Sequence, residues 1–315
     1  MRVAVTGANG FVGKATLAAL AEARLDAIPV VRRAHGLRGE RLVGDLSAET
    51  EWREVLNGCD CVIHLAARVH VMNERAADPA AEFSTANSDG ALALARQSVE
   101  TGVRRLVFVS SAKTLGEKST PGRPLLESDP LAPEDPYSIS KAEAERALTD
   151  FARKSGLELT IIRPPLGYGP GVRANFLSMM RWIDKGIPLP FGAIDNRRSI
   201  VGVRNLASLL VQACVHAAAP GGVFHASDGQ DVSTAQLMRK LAKALAKPDR
   251  LLPVPPSLIG AGLRFVGAGA MAERICGNFQ IASKVTCERL DWRPPFSQDE
   301  EIARTTAAFR NLVRN

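Results

Sequence analysis

A tyrosine and a lysine spaced four residues apart, Tyr137 and Lys141, are the side chains in this sequence best suited to proton transfer. Residues with this spacing on a helix share one face, one turn from each other. The pKa of a free tyrosine is about 10. A lysine ammonium alongside favours the phenolate, and so does a helix N-terminus, which Asp135-Pro136 marks here. A tyrosine tuned in this way can exchange a proton with a carbinol oxygen, to which Ser111 can hydrogen-bond. The spacing also arises by chance on amphipathic helices, so it needs support from other motifs.

A glycine-rich turn provides that support. Thr6-Gly7-Ala8-Asn9-Gly10-Phe11-Val12-Gly13 follows the first apolar run and opens a helical pattern. Glycines here permit a tight turn, close backbone approach to a pyrophosphate and close helix–strand packing, while the helix N-terminus faces the anion. The turn therefore predicts an NAD(P) site, in which the nicotinamide would carry hydride while Tyr137 moves the proton.

Short apolar runs alternate with helical patterns along the first half of the chain. Strands are predicted at 2–6, 27–31, 41–44, 61–65, 106–110 and 159–163, and helices at 11–22, 51–56, 80–101 and 137–155. Strands that are apolar throughout and separated by helices indicate a parallel sheet covered on both faces. We therefore predict an α/β protein with a Rossmann-type doubly wound parallel sheet and a smaller, mostly C-terminal α/β substrate domain. The NAD(P)-binding domain is expected at 1–165, regaining about 199–226, and the substrate domain at 166–315.

Charge and composition restrict the partners. The net charge is +7, from 40 Lys and Arg against 33 Asp and Glu, but the basic residues are dispersed and aromatics are only 5%. We expect no nucleic-acid binding, because few side chains could stack on bases, and attribute the charge to attraction of phosphates. The start of the chain lacks an export signal, and the apolar stretch Leu258–Ala272 is shorter than the about 20 residues that span a bilayer. We therefore expect a cytoplasmic enzyme without a membrane partner, with five reduced, structural cysteines and no metal.

Several segments resemble, in order and spacing, the extended short-chain dehydrogenase/reductase type and its NAD-dependent epimerase/dehydratase family. The resemblance rests on the glycine turn, Gly44-Asp45, His64-Leu65-Ala66-Ala67, Asn87-Ser88-Asp89-Gly90, Ser110-Ser111-Ala112 and the Tyr137/Lys141 pair. It implies catalytic roles for Ser111, Tyr137 and Lys141. The cofactor residues that it implies are Gly7, Asn9, Gly10, Phe11, Val12, Gly13, Arg32, Arg33, Asp45, Leu46, Leu65, Ala66, Ala67, Asn87, Tyr137, Lys141 and Pro164.

The second half resembles the sugar-nucleotide branch of this family. Its matching segments are 163–171, which reads Arg-Pro-Pro-Leu-Gly-Tyr-Gly-Pro-Gly, then 198–206, 282–284 and 290–294. The resemblance implies that Asn175 and Arg198 contact a substrate diphosphate, for which a forked guanidinium is well suited. The nearest pattern, with Arg68-Val69-His70-Val71-Met72 and Asn196-Arg197-Arg198-Ser199, is that of bacterial reductases of UDP-4-keto-6-deoxy-N-acetylhexosamines in surface-polysaccharide biosynthesis.

The end of the second predicted strand bears on the choice of cofactor. NAD-specific sites usually place an acidic residue there for the ribose 2′-hydroxyl, whereas this strand ends in Arg32-Arg33 and Asp26 comes too early. An arginine pair suits a 2′-phosphate, so the sequence favours NADP(H), with NAD(H) as the alternative. The alternative is that Arg32 and Arg33 are exposed loop residues without a role in cofactor binding.

Three functions compete. The sequence favours a 4-ketoreductase that consumes NADPH, because Leu115 replaces a tyrosine that many epimerases carry and no Asp-Glu pair follows Ser111 for a dehydratase. The alternatives are a UDP-hexose 4-epimerase with tightly bound NAD and a non-catalytic NADP-sensing regulator. A sensor needs no proton donor, which argues against the last. The expected partners are a nucleotide-sugar substrate and a second copy of the chain, in a homodimer formed by the long helices 80–101 and 137–155.

Overall fold

The structure is a computed structural model that describes residues 1–69, 78–265 and 267–314. Its strands are β1 (Arg2–Thr6), β2 (Asp26–Val31), β3 (Arg41–Leu42), β4 (Cys61–His64), β5 (Arg105–Val109), β6 (Glu158–Arg163), β7 (Leu166–Tyr168), β8 (Ile200–Gly202) and β9 (Val223–His225). Its helices are α1 (Phe11–Glu22), α2 (Arg53–Leu56), α3 (Pro79–Ser84), α4 (Gly90–Glu100), α5 (Pro136–Ser155), α6 (Ala174–Asp184), α7 (Val203–Val215), α8 (Thr234–Ala244), α9 (Pro256–Phe265), α10 (Gly269–Cys276), α11 (Lys284–Arg289) and α12 (Gln298–Arg314).

Seven strands form one parallel sheet in the order β3-β2-β1-β4-β5-β6-β9, and β7 pairs with β8 in a second, two-stranded parallel sheet. The predicted Rossmann-type doubly wound architecture is confirmed. The strand order reverses between β1 and β4, whose neighbouring carboxyl ends open a crevice. Ligands of open parallel sheets bind at such switch points.

Each face of the large sheet is covered by its own apolar cluster. Val3 and Val5 of β1 point to one face, where they join residues of α1 and α7. Ala4, between them, points to the other face and joins residues of α4 and α5. Successive side chains of a strand alternate between faces, so strands buried on both sides must be apolar throughout. This explains why the apolar runs of the sequence showed no alternation.

A third apolar cluster lies in the second half of the chain. It joins β7 and β8 to α6, α8, α9 and α12, with buried residues from Tyr168 to Phe309. Between these elements, α7 packs on α1 and β9 extends the large sheet. The division into a cofactor domain (1–165 with about 199–226) and a substrate domain (166–315) stays a prediction.

The helix expected over 80–101 is interrupted, which corrects the sequence prediction. A π-helical turn, Thr85–Asp89, separates α3 from α4. The turn brings Asn87 into the interior, where its side-chain amide donates to the Arg68 carbonyl and to Ser140 Oγ, at 3.0 Å each. Hydrogen bonds to distant segments thus override the local helical period. The third strand also ends at Leu42 rather than Gly44, because Gly44 adopts a positive φ of 74°.

No helix within the described part of the chain is long and apolar enough to cross a membrane.

A buried ion pair joins α5 to the end of β6. Arg163 Nη2 lies 2.6 Å from Glu145 Oε2, with side chains only 5% and 4% exposed, and Arg163 Nε also donates to the carboxylate. Removing one partner of such a pair leaves the other charge unpaired in the interior.

We expect Glu145→Gln to lower the free energy of unfolding by about 3–5 kcal/mol, because Arg163 would keep a buried, uncompensated charge. Urea denaturation of the purified proteins measures the change. The matched control is Asp150→Asn on the same helix, which removes the exposed pair with Arg153 and should cost about 0–1 kcal/mol. Equal losses in the two variants would contradict the proposed importance of the buried pair.

Candidate active site

The glycine turn lies between the end of β1 and the first turn of α1. Gly7 has a φ of 66°, and its amide carbonyl accepts from the Gly10 amide at 2.9 Å. A Cβ on Gly13 would stand 2.3 Å from the Gly7 carbonyl oxygen, so a side chain cannot be accommodated there. No side chain caps α1 at Gly10. The N–H groups of its first turn can therefore be offered to an anion, which fits a dinucleotide pyrophosphate.

Thr6 connects this turn to the loop after β4. Its hydroxyl oxygen accepts from the Leu65 and Ala66 amides, at 3.1 Å each, and lies 2.8 Å from His64 Nδ1. With both amides bonded, the hydroxyl donates to His64. Burial and the nearby Lys141 charge lower the pKa of His64 to about 3, so the ring is neutral. Thr6 is part of the glycine motif but was not predicted as a site residue. Its position at the end of the first strand could have indicated that it lies at the site.

Leu65, Ala66 and Ala67 form that loop and approach the glycine turn closely. A Cβ on Gly7 would meet the Ala66 amide nitrogen at 3.0 Å. The ring of Phe11, the first residue of α1, packs beside the segment that follows β7, within 3.5 Å of where a Gly169 Cβ would stand. The structure thus brings the predicted glycine-turn and β4-loop residues together at the switch point.

The end of β2 carries Arg32 and Arg33, both exposed. Arg32 Nη1 pairs with Asp45 Oδ1 at 3.0 Å, and so joins two of the predicted cofactor residues in an exposed ion pair. The side chain of Asn9 contacts His35 Nε2 at 2.6 Å, which links the glycine turn to the loop after β2. His35 was missed in the sequence, because only proximity to Asn9 in the fold singles it out.

Ser111 and Tyr137 lie on segments that the fold places side by side. Ser111 follows β5 and begins a 3₁₀ turn, where its Oγ accepts from the Lys113 amide at 3.2 Å. Tyr137 is the second residue of α5. The predicted cap of this helix is confirmed: Asp135 Oδ1 accepts from the Ser138 amide at 2.7 Å, and Pro136 occupies the first turn.

Lys141 lies one turn further along α5 and is 2% exposed. Its ammonium donates to the Val109 carbonyl at 3.0 Å and lies 4.6 Å from the Phe108 ring centroid. Burial lowers the pKa of Lys141 to about 8, against the opposing charge of Glu145. The ammonium is thus held at the end of β5, beside the segment that carries Ser111.

The expected lowering of the Tyr137 pKa is wrong for this arrangement. Burial, with a smaller contribution from the Asp135 charge, raises the pKa of Tyr137 to about 12. The reason is tertiary, since the Lys141 ammonium is directed at the Val109 carbonyl and the helix cap places a carboxylate two residues before the tyrosine. Tyr137 is therefore a phenol at neutral pH.

Asn87 and Pro164 tie neighbouring segments to this site. The Asn87 amide donates to Ser140 Oγ, one residue before Lys141. The Pro164 carbonyl accepts from the Ala112 amide at 2.9 Å, which joins the segment after β6 to that after β5. Leu46 lies beneath α4, because a Cβ on Gly90 would approach its Cβ to 3.2 Å.

Lys113 lies two residues after Ser111 and was not predicted as a site residue. Its ammonium pairs with both Glu117 and Asp135. Although burial opposes it, hydrogen bonds from Lys113 and Ser138 lower the pKa of Asp135 to about 2. Lys113 therefore fixes the charged cap at the helix end that carries Tyr137.

The two predicted substrate residues come from the second half of the chain. Arg198 is partly buried, and its Nη1 donates to the Gly277 carbonyl at 3.0 Å. Burial lowers its pKa, whereas the negative charge of Glu117 raises it. Since Glu117 also binds Lys113, the fold brings Arg198 towards the segment after Ser111. Asn175 is exposed on the first turn of α6.

The segment Arg68-Val69-His70-Val71-Met72 lies only partly within the described residues. Arg68 contacts the Phe83 ring, with 5.6 Å from its Cζ to the centroid. His70, Val71 and Met72 lie outside the described residues.

Comparison with known proteins places the chain in a family. Residues 3–226 match the NAD dependent epimerase/dehydratase family. A UDP-glucose 4-epimerase of Vibrio cholerae is 41% identical over 314 residues, covering 98% of this chain and 95% of that protein. A GDP-6-deoxy-D-mannose reductase of Pseudomonas aeruginosa is 31% identical over 252 residues, covering 76% and 79%.

The fold agrees with this relationship. A solved structure of UDP-glucose 4-epimerase from Thermotoga maritima superposes with a TM-score of 0.77 at 23% identity, covering 99% of this chain and 100% of the other. The predicted resemblance is confirmed over nearly the full length. The chain belongs to the NAD-dependent epimerase/dehydratase family and is an NAD(P)-dependent enzyme of the short-chain dehydrogenase/reductase type.

Proposed function

We propose that the chain is an NADPH-dependent reductase of the C4 keto group of a UDP-4-keto-6-deoxy-N-acetylhexosamine, acting in surface-polysaccharide biosynthesis. The observation that carries the proposal is the exposed arginine pair Arg32 and Arg33, which follows β2 where an NAD-specific site usually has an acidic residue. A site for the 2′-phosphate favours NADPH, the usual reductant for biosynthesis, and therefore a reduction. Tyr137, a buried phenol at neutral pH, is proposed as the proton donor that the keto oxygen needs.

The cofactor is proposed to occupy the crevice at the ends of β1 and β4. The glycine turn fits a pyrophosphate, since Gly13 admits no Cβ and the first turn of α1 has no side-chain cap. Arg32 and Arg33 are proposed to bind a 2′-phosphate, with Arg32 exchanging its exposed partner Asp45 for it. The bound dinucleotide supplies the hydride.

The proposed proton path uses three side chains. Ser111 Oγ accepts from the Lys113 amide, which leaves its hydroxyl hydrogen free to bond to the keto oxygen. Tyr137 then gives its proton to the oxygen as it becomes a hydroxyl. Lys141, with its pKa lowered to about 8, is the stronger acid of the pair; we propose that its ammonium leaves the Val109 carbonyl and returns a proton to the phenolate.

The diphosphate of the substrate is proposed to lie against Arg198 and Asn175. Arg198 is held by the Gly277 carbonyl and stands near Glu117, on the segment after Ser111. Burial of its guanidinium strengthens attraction to an anion, because the surrounding dielectric is low.

A UDP-hexose 4-epimerase is the second candidate. The Vibrio cholerae relative named UDP-glucose 4-epimerase shares 41% identity over nearly the whole chain. Such an enzyme would first use Tyr137 as a base and would retain NAD through the cycle. The family contains both activities, as the Pseudomonas aeruginosa reductase shows, so membership alone does not decide between them.

Other expectations from the sequence stay predictions. These are the location in the cytoplasm, a homodimer through the α3–α4 and α5 helices, and the nucleotide-sugar nature of the substrate.

We expect Tyr137→Phe to lower kcat by about 10²–10⁴-fold, because general acid catalysis contributes a factor of that size. Cofactor affinity should be retained. The control is Tyr168→Phe at the chain's other tyrosine, whose hydroxyl donates to Asp228 at 2.7 Å, and which should cost stability rather than turnover. Wild-type turnover in Tyr137→Phe would refute the assigned donor.

NADPH is expected to be preferred over NADH. Arg32→Asp combined with Arg33→Ala should lower the ratio of kcat/KM for NADPH to that for NADH by about 10–100-fold, as charged hydrogen bonds to the 2′-phosphate are lost. Arg38→Ala, an exposed arginine in the same loop, serves as the control and should leave the ratio unchanged. Equal use of both cofactors by the wild type would reduce the arginine pair to surface residues.

The reductase and the epimerase differ in how they treat the cofactor. A reductase exchanges its dinucleotide every cycle, so the protein should purify largely free of it and oxidise NADPH in proportion to the 4-keto sugar supplied. UDP-glucose and UDP-N-acetylglucosamine should remain unepimerised. Stoichiometric bound NAD, with interconversion of gluco and galacto sugars without added cofactor, would establish the epimerase instead.

A further inference from the structure

An apolar stripe faces solvent along α9. Leu258, Ala261, Gly262 and Phe265 are all exposed and follow the spacing i, i+3, i+4, i+7, so they share one face of the helix. Phe265 is 93% exposed and Leu258 63%. We call this stripe, together with exposed Met271 on α10, the apolar ridge.

The opposite face of the same hairpin is packed into the protein. Ile259 is buried in the cluster of the second half, and Leu263 and Ile275 pack against it. Ala272 of α10 is buried as well. The helix α9 is thus apolar on both faces, a pattern typical of helices that are covered on both sides. Within the described residues, only the face of α9 that carries Ile259 is covered.

The charges around the ridge are mostly positive. The helices α9 and α10 carry two arginines, Arg264 and Arg274, and one acidic residue, Glu273. Arg264 and Arg274, next to the ridge, are both exposed. Arg264 stands 3.9 Å from Glu273, so the acid offsets only part of the positive charge.

In contrast to the sequence-based expectation of no membrane partner, we propose that the apolar ridge docks the protein on an anionic lipid bilayer. A short helix with a protruding apolar face and flanking arginines suits the headgroup boundary, where apolar side chains enter the acyl region and the arginines meet acidic lipids. The ten residues of α9 are too few to span a bilayer. A stable contact between two proteins takes about 20–30 residues from each side, which the few side chains of the ridge do not provide.

The hairpin is tied directly to the candidate substrate site. The Asn196 side chain donates to the carbonyls of Ile275 and Gly277, at 3.1 and 2.8 Å, and Arg198 donates to Gly277. A bilayer bound at the ridge would therefore lie on the part of the molecule that carries Arg198. The proposal does not depend on whether the enzyme is a reductase or an epimerase.

The test is flotation of the full-length protein with vesicles. We expect binding to vesicles of phosphatidylcholine with about 30% phosphatidylglycerol, because this anionic lipid gives the surface a negative potential. Binding to vesicles of phosphatidylcholine alone should be weak. Leu258→Ser with Phe265→Ser should lower the partition coefficient at least about tenfold, because each side chain contributes its apolar area. The control is Leu312→Ser with Val313→Ser, which removes two exposed apolar side chains, 62% and 55% exposed, from α12.

A second pair of variants tests the charges. Arg264→Gln with Arg274→Gln should abolish the preference for phosphatidylglycerol while leaving thermal unfolding and turnover of the soluble substrate unchanged. No flotation of the wild type would overturn the proposal, as would equal losses in the ridge and α12 variants. A concentration-dependent dimer in light scattering that the ridge variant abolishes would assign the ridge to a second copy and also overturn it.

Discussion

The close approach of three backbone segments at the ends of β1 and β4 is the constraint on which the site depends. Gly13 lies so near the Gly7 carbonyl that a Cβ would stand 2.3 Å from its oxygen, and a Cβ on Gly7 would stand 3.0 Å from the Ala66 amide nitrogen. Thr6 holds the same segments together by accepting from the Leu65 and Ala66 amides. Because helix, turn and loop meet without intervening side chains, the first turn of α1 can present its amides at the switch point of the sheet.

Buried charge organises the neighbouring part of the site. Lys141 is almost fully enclosed and is stabilised by the Val109 carbonyl and the Phe108 ring. Glu145, one turn further along α5, is paired with Arg163 at the end of β6. Removing charges from water is costly, and this arrangement offsets the cost only because every partner is held in place. The pair thereby joins the helix that carries Tyr137 and Lys141 to the sheet.

The second half of the chain meets the first through the segment around Gly277–Ile281. Its backbone pairs with Arg198 on one side and with Leu125 on the other. The backbone N–H of Gln280 donates to Ser119 Oγ at 2.9 Å. The Arg198 loop, the segment after Ser111 and the α9–α10 hairpin are therefore joined by hydrogen bonds through this segment.

The sequence by itself determined the features that depend on local spacing. The apolar runs, the glycine turn and the Asp135-Pro136 cap predicted the parallel sheet, the tight turn between β1 and α1, and the start of α5, because each is encoded within a few consecutive residues. Tertiary structure alone decided the direction in which Lys141 points, the raised pKa of Tyr137, the break in the helix at Asn87 and the outward face of α9. Burial and hydrogen bonds between distant segments set these properties, and a linear pattern contains no information about which segments become neighbours.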